Sequence, residues 1–168
     1  MSALTIVWFR QDLRLDDNPA LLRALERSGP ILPLYIWAPD EEGDWPPGGA
    51  TRWWLHQSLE ALAKAIEKRG ASLTLRSGQT LETLRAVIAE TGADAVHWNR
   101  RYEPASIARD AEIKKALESD GVRVKSFNGA LLWEPWEALK GNGSRTKSSR
   151  PTGKRRSNAA HPIQSPPQ

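Results

Sequence analysis

Five short runs of aliphatic and aromatic residues alternate with helical patterns along this chain, and that alternation limits the fold more than any other feature. "LTIVWF" (4–9), "ILPLYIW" (31–37), "SLTLRSG" (72–78), "AVHWN" (95–99) and "VRVKSF" (122–127) read as strands. Between the first two, Asn18 and Pro19 suit a helix start, one as cap and the other in the first turn. From Thr51 to Arg69, residues Trp54, Leu55, Leu59, Leu62 and Ile66 fall close to one helical face, with Gly70 just beyond. A third helix is predicted over residues 80–91, with Thr80 as its cap and Gly92 past its end; a fourth runs from Pro104 to about Ser119. Strands alternating with helices imply a parallel sheet covered on both faces. The predicted class is therefore α/β: a flavodoxin-like, doubly wound, five-stranded sheet in the order 3-2-1-4-5. Pro33 argues against a central place for the second strand, because proline cannot donate to the ladder.

In such sheets ligands sit beyond the carboxyl ends of the strands, where the winding reverses. With this order the reversal falls between the first and fourth strands, at the loops "RQDLRLDD" (10–17) and "RRYEP" (100–104). Neither G-x-G-x-x-G after the first strand nor G-x-x-x-x-G-K-[ST] is present, so both standard phosphate cradles are excluded. Asp12, Asp16 and Asp17 have two readings, a metal site or helix capping with charge balance for Arg10 and Arg14. Trp8, Trp37 and Trp98 lie at or near the carboxyl ends of three strands, as core residues or as stacking surfaces for a flat ligand. Glu103, between Tyr102 and the helix-opening Pro104, is either a carboxylate placed favourably at a helix start or an acceptor for paired N–H donors of a heterocycle.

The chain has no cysteine, so thiolate metal sites and disulfides are excluded, and His56, His97 and His161 are too scattered to suggest a ligand pair or a Ser–His–Asp arrangement. No apolar run approaches the ~20 residues of a membrane span, and no secretion signal opens the chain. A cytoplasmic, monomeric protein without membrane contact is expected. The formal charge of +4 is concentrated at the end: residues 145–168 hold six basic side chains and no acid, leaving 18 basic against 20 acidic residues over 1–144. The domain itself makes no general electrostatic case for nucleic acid.

"VWFRQDLRLDDNPAL" (7–21) closely resembles the N-terminal signature of the DNA photolyase/cryptochrome family, and "LYIWAPD", "RWWLHQSL", "WNRRYEP" and "GALLWEPWE" follow in the family's order. The resemblance covers about residues 1–144 and points to a class I, cyclobutane pyrimidine dimer, deoxyribodipyrimidine photo-lyase. It implies an α/β domain holding an antenna pigment, which passes excitation to FAD in a helical C-terminal domain; reduced flavin then donates an electron to a pyrimidine dimer in UV-damaged DNA. Tyr102 and Glu103 resemble the family's antenna-contacting pair, and Arg10 and Trp37 stand in segments that border antenna pockets. Methenyltetrahydrofolate is the implied antenna, with 8-hydroxy-5-deazaflavin or FMN as alternatives. The FAD site and dimer pocket belong to the helical domain, so the resemblance implies a front third of such an enzyme, without catalysis alone. A cryptochrome fragment or a non-catalytic ligand-binding module are the competing readings.

The stretch 145–168 reads as a disordered basic tail, since it has almost nothing to bury. In the family the corresponding segment resembles Pro-Tyr-Lys-Val-Phe-Thr-Pro followed by Tyr-Trp-Lys. One coding of those ten residues, read one base late, translates as the "RTKSSRPTGK" of residues 145–154. An out-of-frame origin for the tail is therefore expected.

Overall fold

The computed structural model describes residues 4–43 and 46–134. Five strands, β1 (Thr5–Phe9), β2 (Ile31–Trp37), β3 (Thr74–Ser77), β4 (Ala95–Asn99) and β5 (Arg123–Phe127), form one parallel sheet in the order β3-β2-β1-β4-β5. Four helices connect them: α1 (Pro19–Leu25), α2 (Gly49–Glu67), α3 (Thr80–Thr91) and α4 (Pro104–Ser119). The chain divides into two compact units, Met1–Ala130 and Leu131–Gln168. The sheet and all four helices lie in the first. The expected boundary at 144 and the tail at 145–168 fall outside the described residues.

Alternation along β1 divides the core. Ile6 and Trp8 join a cluster with Leu84 and Val87 of α3 and Ile113 and Leu117 of α4. Val7 and Phe9 face the other way, against Ala20 and Ala24 of α1 and Leu62 and Ile66 of α2. One helix pair on each face is the doubly wound arrangement, and it leaves the central strands β1 and β4 buried at every position.

Pro33 sits in an interior strand after all, and the register explains how. The Thr5 N–H donates to the Pro30 carbonyl, so even-numbered positions of β2 point their backbone groups at β1 and odd ones at β3. Pro33 thus faces the β3 side, where pairing begins only at Leu34 opposite Thr74. No ladder donor is lost.

Helix starts depart from expectation at two places, α3 and α2. Asn18 caps α1 through its Oδ1, 3.2 Å from the Leu21 nitrogen. Thr80, expected as the cap of α3, is instead its first helical residue. The carboxylate of Glu41, from a 3₁₀ turn at Pro39–Glu41, accepts the Thr80 N–H at 2.8 Å and the Thr80 hydroxyl. α2 begins at Gly49, two positions before the expected Thr51. Gly92 ends α3 in a left-handed conformation (φ 67°), donating to the Ile88 carbonyl at 2.8 Å.

Candidate functional site

Where β1 and β4 end side by side, the chain leaves in opposite directions, to α1 and to α4. Polar side chains stitch this point together. Asn99, the last residue of β4, accepts the Ala20 N–H at 3.1 Å through Oδ1; its Nδ2 donates to Asn18 at 2.8 Å and to the Asp12 carboxylate. Asn18 is fully buried and donates in turn to the Arg14 carbonyl at 3.0 Å. Gly129 passes directly over this cluster: a Cβ there would stand 2.7 Å from Asn99 Cγ. The Gly129 carbonyl accepts from the Arg14 guanidinium at 2.6 Å.

Above this floor lies a cleft of about 370 Å³, lined by Gln11, Asp12, Arg14 and residues 99–103, closed by Gly129 and Ala130. It occupies the reversal point between the two loops that sequence reasoning singled out. Tyr102 and Glu103 both line it. Glu103 caps α4 with its backbone carbonyl, 2.9 Å from the Ile107 N–H, but its side chain makes no capping bond. The carboxylate is 52 % exposed and 3.3 Å from the Arg101 guanidinium. Burial pushes Glu103 up, but its own backbone N–H and Arg101 outweigh that and hold it below the usual carboxylate range. The group is therefore an ionised acceptor at the cleft wall.

Arg10 and Trp37 line a different, smaller cavity of about 100 Å³ between the ends of β1 and β2. Gln11 and Arg101 contribute to both spaces. The Arg10 guanidinium is buried, 2.6 Å from Asp110 of α4 and donating to the Asn99 carbonyl, with its Cζ 4.8 Å from the centre of the Trp8 ring. Desolvation pushes its pKa down against the pull of Asp110. Beside it, Arg101 holds Glu42 at 2.7 Å, and Arg109 stands 3.6 Å from the same carboxylate. Burial pushes Glu42 up, yet these two guanidiniums hold it below the ordinary range. Tyr35, on the wall of this cavity, is pushed up to about 12 by burial and by Glu42.

Of the three strand-end tryptophans, Trp98 is core: it is buried and packs edge-to-face on Trp8 at 5.5 Å. Trp8 shares that core and also walls the small cavity, while Trp37 is half-buried and open to it. The three aspartates diverge. Asp12 accepts the Arg10 N–H at 3.0 Å, Asp16 is fully exposed, and Asp17 turns the chain at φ 49°. Among the described residues no group of three metal-ligating side chains comes together. Sequence reasoning missed Glu42, Arg109 and Asp110. The pairs that bring them to the site, Arg10–Asp110, Arg101–Glu42 and Arg109–Glu42, span 59 to 100 positions, so no local spacing announces them.

No helix among the described residues is long and apolar enough to cross a membrane. Residues 5–168 match the family model for DNA photolyase. The chain is 53 % identical over 134 residues to a deoxyribodipyrimidine photo-lyase of Agrobacterium fabrum, a match covering 80 % of this chain and 27 % of that one. It is 46 % identical to Cryptochrome-2 of Arabidopsis thaliana over 138 residues, covering 82 % of this chain and 22 % of the other. A crystal structure of a bacterial class III photolyase from Agrobacterium tumefaciens superposes with a TM-score of 0.86 at 44 % identity, across 97 % of this chain and 33 % of that one. The chain thus spans about a quarter of the length of the curated relatives it matches. By family model, sequence and sheet order alike, it belongs to the DNA photolyase family and corresponds to the N-terminal antenna domain.

Proposed function

We propose that the chain is the antenna domain of a light-dependent deoxyribodipyrimidine photo-lyase, and that the cleft at the β1/β4 reversal takes the pterin ring of methenyltetrahydrofolate. When bound, that pigment absorbs light and passes excitation to FAD, which in the whole enzyme supplies the electron for splitting a cyclobutane pyrimidine dimer. The observation that carries the reading is the pairing of an ionised, half-exposed Glu103 with a cleft of about 370 Å³. That volume lies within the ~300–1,000 Å³ of small-molecule sites. A pterin edge offers adjacent N–H donors, and the Glu103 carboxylate supplies two acceptor oxygens for them. Tyr102 adds an aromatic wall, and the guanidiniums of Arg14 and Arg101 flank the same cleft, suiting the carboxylates of a folate tail. The cavity beside Arg10 and Trp37, at about 100 Å³, falls well below that range and is crossed by the Arg101–Glu42–Arg109 cluster. It favours folate in the outer cleft over FMN or a deazaflavin in the inner one.

A blue-light receptor is the second reading, favoured by the substantial identity with a plant cryptochrome; both readings keep the antenna cleft. The test is titration of methenyltetrahydrofolate into this chain, followed by pigment absorbance and tryptophan quenching. Glu103→Ala and Glu103→Gln should each weaken binding roughly tenfold or more, because a hydrogen bond to a charged group contributes ~1.5–3 kcal/mol. Glutamine fails because its amide offers a donor where an acceptor is wanted. Equal affinity in both variants, with saturable binding to the parent chain, would return Glu103 to a helix-start role.

A further inference from the structure

On the face of the sheet that carries α1 and α2, the edge strand β5 is not apolar. Val124 faces the opposite core with α3 and α4, which leaves Arg123, Lys125 and Phe127 on the α1 side. α1 is only seven residues long. Beside it lies a cavity of about 530 Å³ whose walls carry Arg23 and Arg27 from α1 and its following turn, and Arg123 and Lys125 from β5. His97 and Phe127 line it as well, and Glu26 is its acidic member.

The charges do not cancel. Arg23 pairs with Glu26 at 2.7 Å, while Arg27 and Arg123 share the single carboxylate of Asp94. Lys125 has no ion pair among the described residues. Four cations therefore stand against two carboxylates around one concavity, in a domain whose overall balance is acidic. Arginine carries five N–H donors in a planar fork, so those paired with one carboxylate keep donors for a second anion. His97 is 2 % exposed, packs edge-to-face on Phe127 at 5.4 Å and points Nδ1 at the Ala20 carbonyl, 3.4 Å away. Burial pushes its pKa down; the Ala20 carbonyl opposes this, and Arg27 and Lys125 add to it. Glu26, Asp94, Arg23 and Arg123 are the remaining charged groups around the ring's cavity.

We propose that this cavity is a second ligand site, for a small molecule bearing a diphosphate group. Cations approach from two sides, the α1 end and the β5 edge, so an anion with two linked phosphates spans them better than a single charge. The volume admits a nucleotide-sized ligand. None of these residues lines the antenna cleft, so the site stands independently of the pigment.

The test uses inorganic pyrophosphate, titrated into the chain at constant ionic strength, with the imidazole resonances of His97 and His56 followed by NMR. A saturable shift of His97 without one at His56 is expected, with the His97 pKa rising as the anion offsets Arg27 and Lys125. Lys125→Glu should weaken binding tenfold or more. Lys115→Glu makes the same change of charge on α4, on the opposite face, and should alter affinity less than twofold. A non-saturating shift, or equal losses in the two variants, would reduce the effect to general ion atmosphere and overturn the proposal. Displacement of pyrophosphate by a short DNA duplex at lower concentration would also overturn it, giving the groove to a nucleic-acid backbone instead.

Discussion

Asp110→Ala should destabilise this domain more than any change in the exposed wall of the cleft. The Asp110 carboxylate sits 2.6 Å from the Arg10 guanidinium, with side chains only 12 % and 4 % exposed. Without it, the guanidinium keeps one neutral acceptor, the Asn99 carbonyl, and its Nε has no acceptor among the described residues. Stranding one member of a buried pair costs about 3–5 kcal/mol. Asp12, which also raises the Arg10 pKa, places the expectation at the lower end, about 3 kcal/mol. That is a large share of the ~5–15 kcal/mol by which such a domain is stable. Asp110→Asn keeps an acceptor and loses only the charge assistance, so about 1 kcal/mol is expected. The double variant Arg10→Met/Asp110→Leu removes both charges and should be more stable than Asp110→Ala alone, because the attraction of a buried pair barely exceeds its desolvation. Urea unfolding, followed by tryptophan fluorescence and far-ultraviolet circular dichroism, gives all three values. A cost below about 1 kcal/mol for Asp110→Ala would mean that Arg10 finds water or another partner, and the argument from a stranded buried charge would be wrong.

Gly129→Ala should cost about 1–3 kcal/mol and weaken folate binding, since the new methyl meets Asn99 at 2.7 Å and that side chain is fixed by three hydrogen bonds; unfolding and titration read the two effects. Glu42 has a folded-state pKa below its unfolded value, so its contribution is present above about pH 4.3 and disappears as pH falls through the folded pKa. Glu42→Gln should therefore be less stable than the parent at pH 7, with the gap in urea midpoint closing as pH falls below the ordinary carboxylate range. Blue light on this stretch of chain with damaged DNA and added reduced FAD should produce no dimer loss beyond the flavin-only control; heat-sensitive repair above that control would place catalytic groups where none is assigned.

What the sequence made legible follows from range. All five strands and four helices are announced by periodicity and by local punctuation such as Asn18–Pro19 and Gly92, and the reversal point follows from the strand order. Pro33 misled because its effect depends on which side of β2 it faces, and only the register decides that. Thr80 misled because a threonine before a helical pattern looks like a cap, whereas the capping carboxylate comes from Glu41, 39 positions earlier. The same limit governs the site. Tyr102 and Glu103 are neighbours and share a cleft, but the assignment of Arg10 and Trp37 to a separate, narrower cavity depends on Glu42, Arg109 and Asp110 arriving from afar.

Under the antenna role proposed above, the Asp12–Asn99–Asn18 network has a consequence for light capture. Excitation passes between two pigments by dipole coupling, and its rate scales with the square of an orientation factor as well as with distance. A donor that tumbles averages that factor, whereas a donor held at one angle keeps whatever value the architecture sets. Asn99 fixes the end of β4 to the start of α1, and Gly129 closes over it without room for a methyl group, so the cleft floor has little freedom to tilt. A ring resting there would inherit that angular rigidity. Loosening Asn99 should then broaden the donor's fluorescence anisotropy decay before it changes how tightly the donor binds.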